Sequence, residues 1–150
     1  MQNNKIILSL WFTSNEGRLE NIIKYYKEVF STKFESGPII PLGETPGGNA
    51  EMCEVKIFDQ SFSFLSTSEK HHPLNDAVSL IINCNDQKEI DRYWNYFTAV
   101  GEESMCGWCI DKFGLRWQVL PKNLGELMTI PGAGDIMMKQ KKIVIEEYLR

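Results

Sequence analysis

Hydrophobic and polar positions alternate along two separate stretches of the chain, and each stretch gives way to helical spacing. In the first, Ile6, Leu8, Leu10 and Phe12 alternate with Ile7, Ser9, Trp11 and Thr13. Leu19, Ile22, Ile23, Tyr26 and Val29 then recur at the three-and-four spacing of one helix face. In the second, Val78, Leu80 and Ile82 alternate with Ser79, Ile81 and Asn83, and Ile90, Tyr93, Trp94, Phe97 and Val100 follow at helical spacing. The same strand–helix grammar thus runs over residues 6–30 and again over 78–100. A period this long exceeds the unit of a solenoid and falls short of a comfortable independent domain. It predicts two modules sharing one core, with a concave ligand site where they meet.

The intervening pattern fills out each module. Residues 32–40 read as a strand, and the Pro- and Gly-rich run 41–49 reads as a surface loop that could serve as a lid. Residues 50–58 and 61–66 form a predicted hairpin turning at Asp59-Gln60. A linker, 68–75, carries His71 and His72, which read as solvated loop residues. After the second helix, 105–110 and 115–120 form another predicted hairpin, turning at 111–114. Asp86 with Glu89 three residues on is a capping box for the second helix. The architecture expected is α+β: two paired βαβββ modules forming an open, barrel-like curved sheet, within a single domain spanning 1–150. Module 1 covers about 5–67 and module 2 about 77–121. The tail 123–150 lies outside the repeat as a helical extension. A short helix is expected at 123–129, and Asp135 would cap a final one. Ile136, Met137, Ile143, Val144 and Tyr148 give the tail apolar surface to bury, on its own subunit or on a partner.

Composition changes this picture only by exclusion. The 150 residues are 43% hydrophobic and 24% charged, ordinary values for a globular protein able to bury a core. A net charge of −4 argues against nucleic acid, which calls for a basic stripe. Lys139, Lys141 and Lys142 read as a solvated helix face. No run resembles a signal peptide or a membrane span, so a cytoplasmic protein with no membrane partner is expected. Cys53, Cys84, Cys106 and Cys109 would then stay reduced. Cys106 and Cys109 form a C-x-x-C string, but in a predicted strand such residues point to opposite faces with Cα atoms roughly 10 Å apart. That is beyond the roughly 7 Å a disulfide spans.

One stretch is diagnostic: Cys106-Gly107-Trp108-Cys109-Ile110-Asp111-Lys112-Phe113-Gly114-Leu115-Arg116-Trp117-Gln118-Val119-Leu120-Pro121. It closely resembles the CGW-x-x-D-x-x-G-x-x-WQ-x-x-P segment of the PhnB-like family, within the glyoxalase/bleomycin resistance/dioxygenase (vicinal oxygen chelate) group. Leu10-Trp11-Phe12, the run from Asn83 to Trp94, and Met138-Lys139-Gln140-Lys141-Lys142 fit as well, so the resemblance covers essentially the whole chain. It implies paired βαβββ modules around an open cavity. Many family members carry the label 3-demethylubiquinone-9 3-methyltransferase. A methyltransferase using S-adenosylmethionine normally needs a Gly-rich strand-to-helix turn, and neither repeated turn here is Gly-rich.

Enzymes of the wider group hold a divalent metal through His, Glu or Gln on the first and last strands of each module. Strand parity places Leu8, Leu10 and Phe12 under the helix, and Ser9 and Trp11 toward the cavity. Ser79 and Asn83 face it from module 2. On the last strand Trp117 and Val119 pack outward, so Arg116 and Gln118 point in. Phe62 and Phe64 are expected to look inward from the first hairpin. Gln118 matches a ligand position but is an amide, and Ile7, Phe64 and Ser79 match the others approximately. No catalytic metal site and no cofactor are therefore expected. Trp11, Phe62, Phe64 and Trp108 form either an aromatic ligand wall or a core packed shut. The expected function is a metal-independent small-molecule-binding protein, a homodimer, with Ser9, Ser79, Asn83, Arg116 and Gln118 as polar handles. An inward Arg116 would favour an anionic ligand. A metal-assisted lyase, isomerase or dioxygenase is the enzyme alternative, and the methyltransferase of the family label is a second.

Overall fold

The computed structural model describes residues 4–13 and 18–150. The N-terminal residues 1–3, read as free of a leader, and the turn at 14–17, read as lacking a Gly-rich signature, lie outside the described residues. The chain divides into two compact units, Met1–Leu74 and Asn75–Arg150.

Unit 1 holds β1 (Leu8–Phe12), α1 (Leu19–Phe30), β2 (Phe34–Ser36), β3 (Ile40–Thr45), β4 (Gly48–Ile57) and β5 (Gln60–Thr67). Its sheet runs β1-β5-β4-β2, with β3 pairing the other half of β4. β1 is parallel to β5, and the remaining pairs are antiparallel. Arg18, the N-cap residue of α1, makes no side-chain capping hydrogen bond. Glu51 on β4 takes that part: its Oε1 accepts from the Leu19 N–H at 2.8 Å, while Oε2 pairs with Arg18 at 3.1 Å. A carboxylate there satisfies an orphan donor and complements the helix dipole. The core forms where α1 lies on the sheet, with Phe12, Leu19, Ile22 and Tyr26 fully covered.

Unit 2 repeats the plan: β6 (Ser79–Cys84), α2 (Gln87–Ala99), β7 (Glu102–Glu103), β8 (Trp108–Ile110) and β9 (Arg116–Pro121), in sheet order β6-β9-β8-β7. β6 is parallel to β9, as β1 is to β5. The α+β fold of two βαβββ modules is therefore present, with β3 an addition to the first. The capping box forms as the sequence requires, the Glu89 N–H donating to Asp86 Oδ1 at 2.9 Å. Trp94, Tyr93, Ile90 and Phe97 are buried against the sheet. Phe97 stacks on Trp117 with ring centroids 4.7 Å apart. Gly101 is obligatory between α2 and β7, because a Cβ there would overlap the Ile110 carbonyl.

Several expectations need correction. The run 41–49 is no lid: it forms β3, the turn and the start of β4. A register shift between Pro41 and Gly43, and φ of +73° at Gly43 and +91° at Gly48, absorb the residues that read as breakers. The strand expected over 32–40 splits into a 3-10 turn, Ser31–Lys33, and short β2. Ile6 and Val100 are 89% and 60% exposed because β1 begins after the former and α2 ends before the latter. Cys106 and Gly107 are not in a strand; both have positive φ, 60° and 84°, in the turn that opens β8.

The tail folds onto unit 2. α3 (Leu124–Leu127), α4 (Ala133–Lys139) and a 3-10 turn, Ile145–Tyr148, follow β9. Gly132 (φ +83°), not Asp135, precedes α4. Leu120, Leu127, Ala133, Ile143 and Tyr148 form one buried cluster. Polar clamps hold it. Cys106 N–H donates to Gln140 O and Gly107 N–H to Lys141 O, each at 2.8 Å. Gln87 Nε2 donates to Ile143 O at 2.9 Å, and Gln87 Oε1 accepts from Ile145 N–H at 2.8 Å. Leu127, Ile143 and Tyr148 of the tail are thus buried in their own unit, whereas Met138 and Leu149 are 70% and 65% exposed. Of the lysines read as a solvated face, Lys141 pairs with Glu103 and Lys142 with Asp91.

Candidate functional site

Register sorts side chains between the helix-covered and the helix-free face of each sheet, because directly paired residues point the same way. In unit 1 Leu8 pairs with Phe62 and Leu10 with Phe64. Phe62 and Phe64 therefore lie on the helix side, 3% and 1% exposed. The Phe64 ring stands 5.1 Å from Phe12 and 5.9 Å from Tyr26. The expectation that Phe62 and Phe64 face a ligand beside Trp11 is overturned: they are core, on the opposite face of the sheet. The physical reason is the β1–β5 pairing, which locks the parity of one strand to the other.

The helix-free face of unit 1 carries Ser9 and Trp11, with Ser63, Leu65 and Thr67 of β5 and Met52 and Glu54 of β4 alongside. Ser9 is exposed and Trp11 half-buried. The Trp11 indole is held firmly. Its Nε1–H donates to Thr67 Oγ1 at 2.9 Å, and the Thr67 hydroxyl donates to Glu69 O at 3.0 Å. One indole face is covered by the His71 ring, stacked at a centroid distance of 3.7 Å and 17° between planes. His71 was read as a solvated loop residue; it is exposed, yet it lies flat on Trp11.

In unit 2 the helix-free face carries Ser79 beside Arg116, and Ile81 and Trp108 on either side of Gln118. Gln118 Nε2 donates to Ser79 Oγ at 2.9 Å, so the two expected handles are joined. Ile81 is 56% exposed next to them. Arg116 is on this face, but its charge is engaged: Nε pairs with Asp76 Oδ1 at 2.9 Å and Nη1 donates to Gly114 O at 2.8 Å. The support it would lend to an anionic ligand is thereby removed, since the cation already has a carboxylate. Asn83 is exposed at the far end of β6, paired with Leu120 where the tail cluster begins. Trp108 is half-buried beside Gln118.

The donor set does not suit the divalent metal of the wider group. Gln118 offers an amide tied to Ser79, Phe64 is under α1, and among the described residues no three His, Cys, Asp or Glu side chains converge. The thiols are unpaired. Burial pushes Cys84 and Cys109 up to about 12, the latter also opposed by the Asp111 charge. Burial, with Glu54 nearby, raises Cys53 as well. These are packing residues rather than nucleophiles. Asp111, 3% exposed, is likewise structural: it accepts from Phe113 N–H, Leu115 N–H and Trp117 Nε1–H.

Sequence reasoning missed His71, Thr67, Leu65 and Ile81 on these faces. The alternation in β5 was visible, but either parity satisfied it. Only the pairing with β1 chooses Ser63, Leu65 and Thr67 as the set that shares a face with Trp11.

A model of the family described as 3-demethylubiquinone-9 3-methyltransferase matches residues 4–120. No curated protein matches the chain. Among solved structures, the PhnB protein from Bacillus cereus is similar at 24% identity and a TM-score of 0.66, over 79% of this chain and 99% of that one. A Pseudomonas aeruginosa protein is similar at 16% identity and 0.55, over 79% and 98%. The genomically encoded fosfomycin resistance protein of Listeria monocytogenes is similar at 12% and 0.54, over 84% and 97%. At these identities the likeness is one of fold.

Proposed function

The chain belongs to the 3-demethylubiquinone-9 3-methyltransferase family, and from that premise we propose that it is a PhnB-like small-molecule-binding protein, metal-independent, cytoplasmic and homodimeric. The observation that carries this reading is the Gln118–Ser79 pair on the helix-free face of unit 2. With its N–H engaged, Gln118 keeps the lone pairs of Oε1, and Ser79 keeps its hydroxyl proton. An acceptor and a donor stand together beside Ile81 and Trp108, which is the composition of a site for an amphipathic, neutral ligand. Ser9 and Trp11 have the same amphipathic character on the helix-free face of unit 1, and Asn83 is a peripheral handle. Among the described residues no helix is long and apolar enough to cross a membrane.

A thermal-shift screen of the whole protein tests the reading, because a ligand that prefers the folded state raises stability. Amphipathic aromatic metabolites raise the melting temperature, and Gln118→Ala abolishes the gain. Stabilisation by zinc, nickel or iron instead would favour a metal-assisted lyase, isomerase or dioxygenase. Stabilisation by S-adenosylmethionine would favour the methyltransferase named in the family description. Either result overturns the proposal.

A further inference from the structure

The geometry points to the Trp11 indole face as a subsite for a planar aromatic ring, with the His71 ring as the resident group that such a ligand displaces. The inference rests on the small-molecule-binding reading and adds to it a ligand class and a gate.

Trp11 is a platform fixed in place. Thr67 holds its Nε1–H from one edge, and Thr67 is itself tied to the backbone at Glu69. Gly47 closes another edge, where a Cβ would come within 3.1 Å of Trp11 Cζ2 and 3.3 Å of Thr67 Cγ2. A side chain at that position would press on the indole edge. What remains open is the indole face, and there His71 sits at the thickness of one aromatic ring, 3.7 Å and nearly coplanar at 17°. The indole face therefore already carries a stacked ring.

The roof is weakly held in comparison with the floor. Ser68 N–H and Glu69 N–H bond the carbonyls of Asn49 and Gly47, which anchors the strap where it leaves β5. Lys70, His71, His72 and Pro73 make no hydrogen bond among the described residues, and all four are exposed. His71 meets Trp11 by its ring and His72 edge-on at 4.8 Å. A ring–ring stack is exchangeable for another of equal area, whereas the Trp11–Thr67 hydrogen bond persists in either state. A ligand ring with a larger π-surface than imidazole gains contact on exchange. Occupancy by His71 lowers the apparent affinity by the fraction of time the indole face is covered.

The test follows the Trp11 indole N–H resonance in the full-length protein, assigned with Trp11→Phe, during titration with naphthalene-2-carboxylate and with cyclohexanecarboxylate. The planar acid shifts the Trp11 resonance saturably and the saturated acid does not. His71→Ala tightens binding of the planar acid several-fold, and His71→Phe weakens it below the unsubstituted protein. Both substitutions fall on an exposed strap, so the folded state is preserved. If the planar acid perturbs Trp108 and the Gln118 amide but leaves Trp11 still, the small-molecule reading stands and this subsite is refuted. If the screen described above finds no ligand of any class, the wider reading fails independently. Equal shifts from both acids, or no change in affinity with His71→Ala, also overturn the proposal.

Discussion

The indole N–H of Trp117 donates to Asp111 Oδ2 at 2.8 Å, inside unit 2, where Asp111 is 3% exposed. The other carboxylate oxygen accepts from Phe113 N–H at 2.9 Å and Leu115 N–H at 3.1 Å. Three donors thus converge on one buried carboxylate, which ties the turn between β8 and β9 to the strand that follows it. The same Trp117 ring lies flat on Phe97 of α2. Asp, Gly and Trp in that stretch are spaced to build the turn and fasten it to the helix.

Asp111→Ala leaves three buried N–H groups without their acceptor and is expected to cost about 2–4 kcal/mol. Trp117→Phe keeps the stack and loses one hydrogen bond to a charged acceptor, a smaller cost of about 1.5–3 kcal/mol. Urea unfolding monitored by circular dichroism gives both. A midpoint for Asp111→Ala equal to that of the unsubstituted protein would refute the structural role.

Gly107 is the seam between the turn and the tail. It has φ +84°, and a Cβ there would come within 2.9 Å of Leu120, 3.0 Å of the Val119 carbonyl and 3.1 Å of Ile143. Gly107→Ala is expected to destabilise by about 2 kcal/mol or more, combining left-handed strain with crowding. Amide exchange should rise over 140–148, because Lys141 O and Gln140 O accept from this turn. Gly134 in α4 has nothing within 4 Å of its Cβ position. Gly134→Ala serves as the control and should stabilise by about 0.5–1 kcal/mol.

The buried thiols predict an alkaline limit. Cys84 and Cys109 hold their protons to about 12 when folded, against an ordinary value of 9.0. Above pH 9 the unfolded chain releases these protons while the folded chain keeps them, so the unfolded state binds fewer protons and stability falls with rising pH. The contribution is complete below pH 9 and declines through about 12. Urea midpoints measured across that window should fall, and Cys84→Ser with Cys109→Ser should flatten the decline. Iodoacetamide at neutral pH should label half-exposed Cys106 well before the other three; equal rates at all four would contradict the burial.

The proposed homodimer can draw on a surface other than the tail. The tail buries Leu127, Ile143 and Tyr148 in its own unit, while Ile40 and Leu42 of β3, with Ile39 just before it, are 47%, 46% and 37% exposed. An unpaired apolar strand edge favours pairing with a second copy. Sedimentation at micromolar concentration should show a dimer that Ile40→Lys with Leu42→Lys dissociates. A monomer in the unsubstituted protein would sink the homodimer.

The periodicity of 6–30 and 78–100 was enough to read the duplicated βαβ plan, since a strand or helix with one buried face must write that face into its sequence. It placed Leu10 and Phe12 under α1, Trp117 under α2 and Gln118 on the other face, because each lay beside an apolar partner of fixed parity. The Asp86–Glu89 cap was legible for the same local reason. β3 was not, because its Pro and Gly read as breakers until a bulge accommodates them.

The sequence by itself therefore determined the repeated strand–helix units and the helix-facing side of the first strand in each, which follow from local spacing. Only the tertiary structure decided the rest. Phe62 and Phe64 alternate equally well on either face, and the register with β1 sends them to the core. Arg116 is a charge in the sequence and half of an ion pair in the fold. His71 is a linker residue in the sequence and a ring stacked on Trp11 in the fold. Each of these depends on a partner distant along the chain, and a contact between distant residues leaves no period in the sequence that makes it.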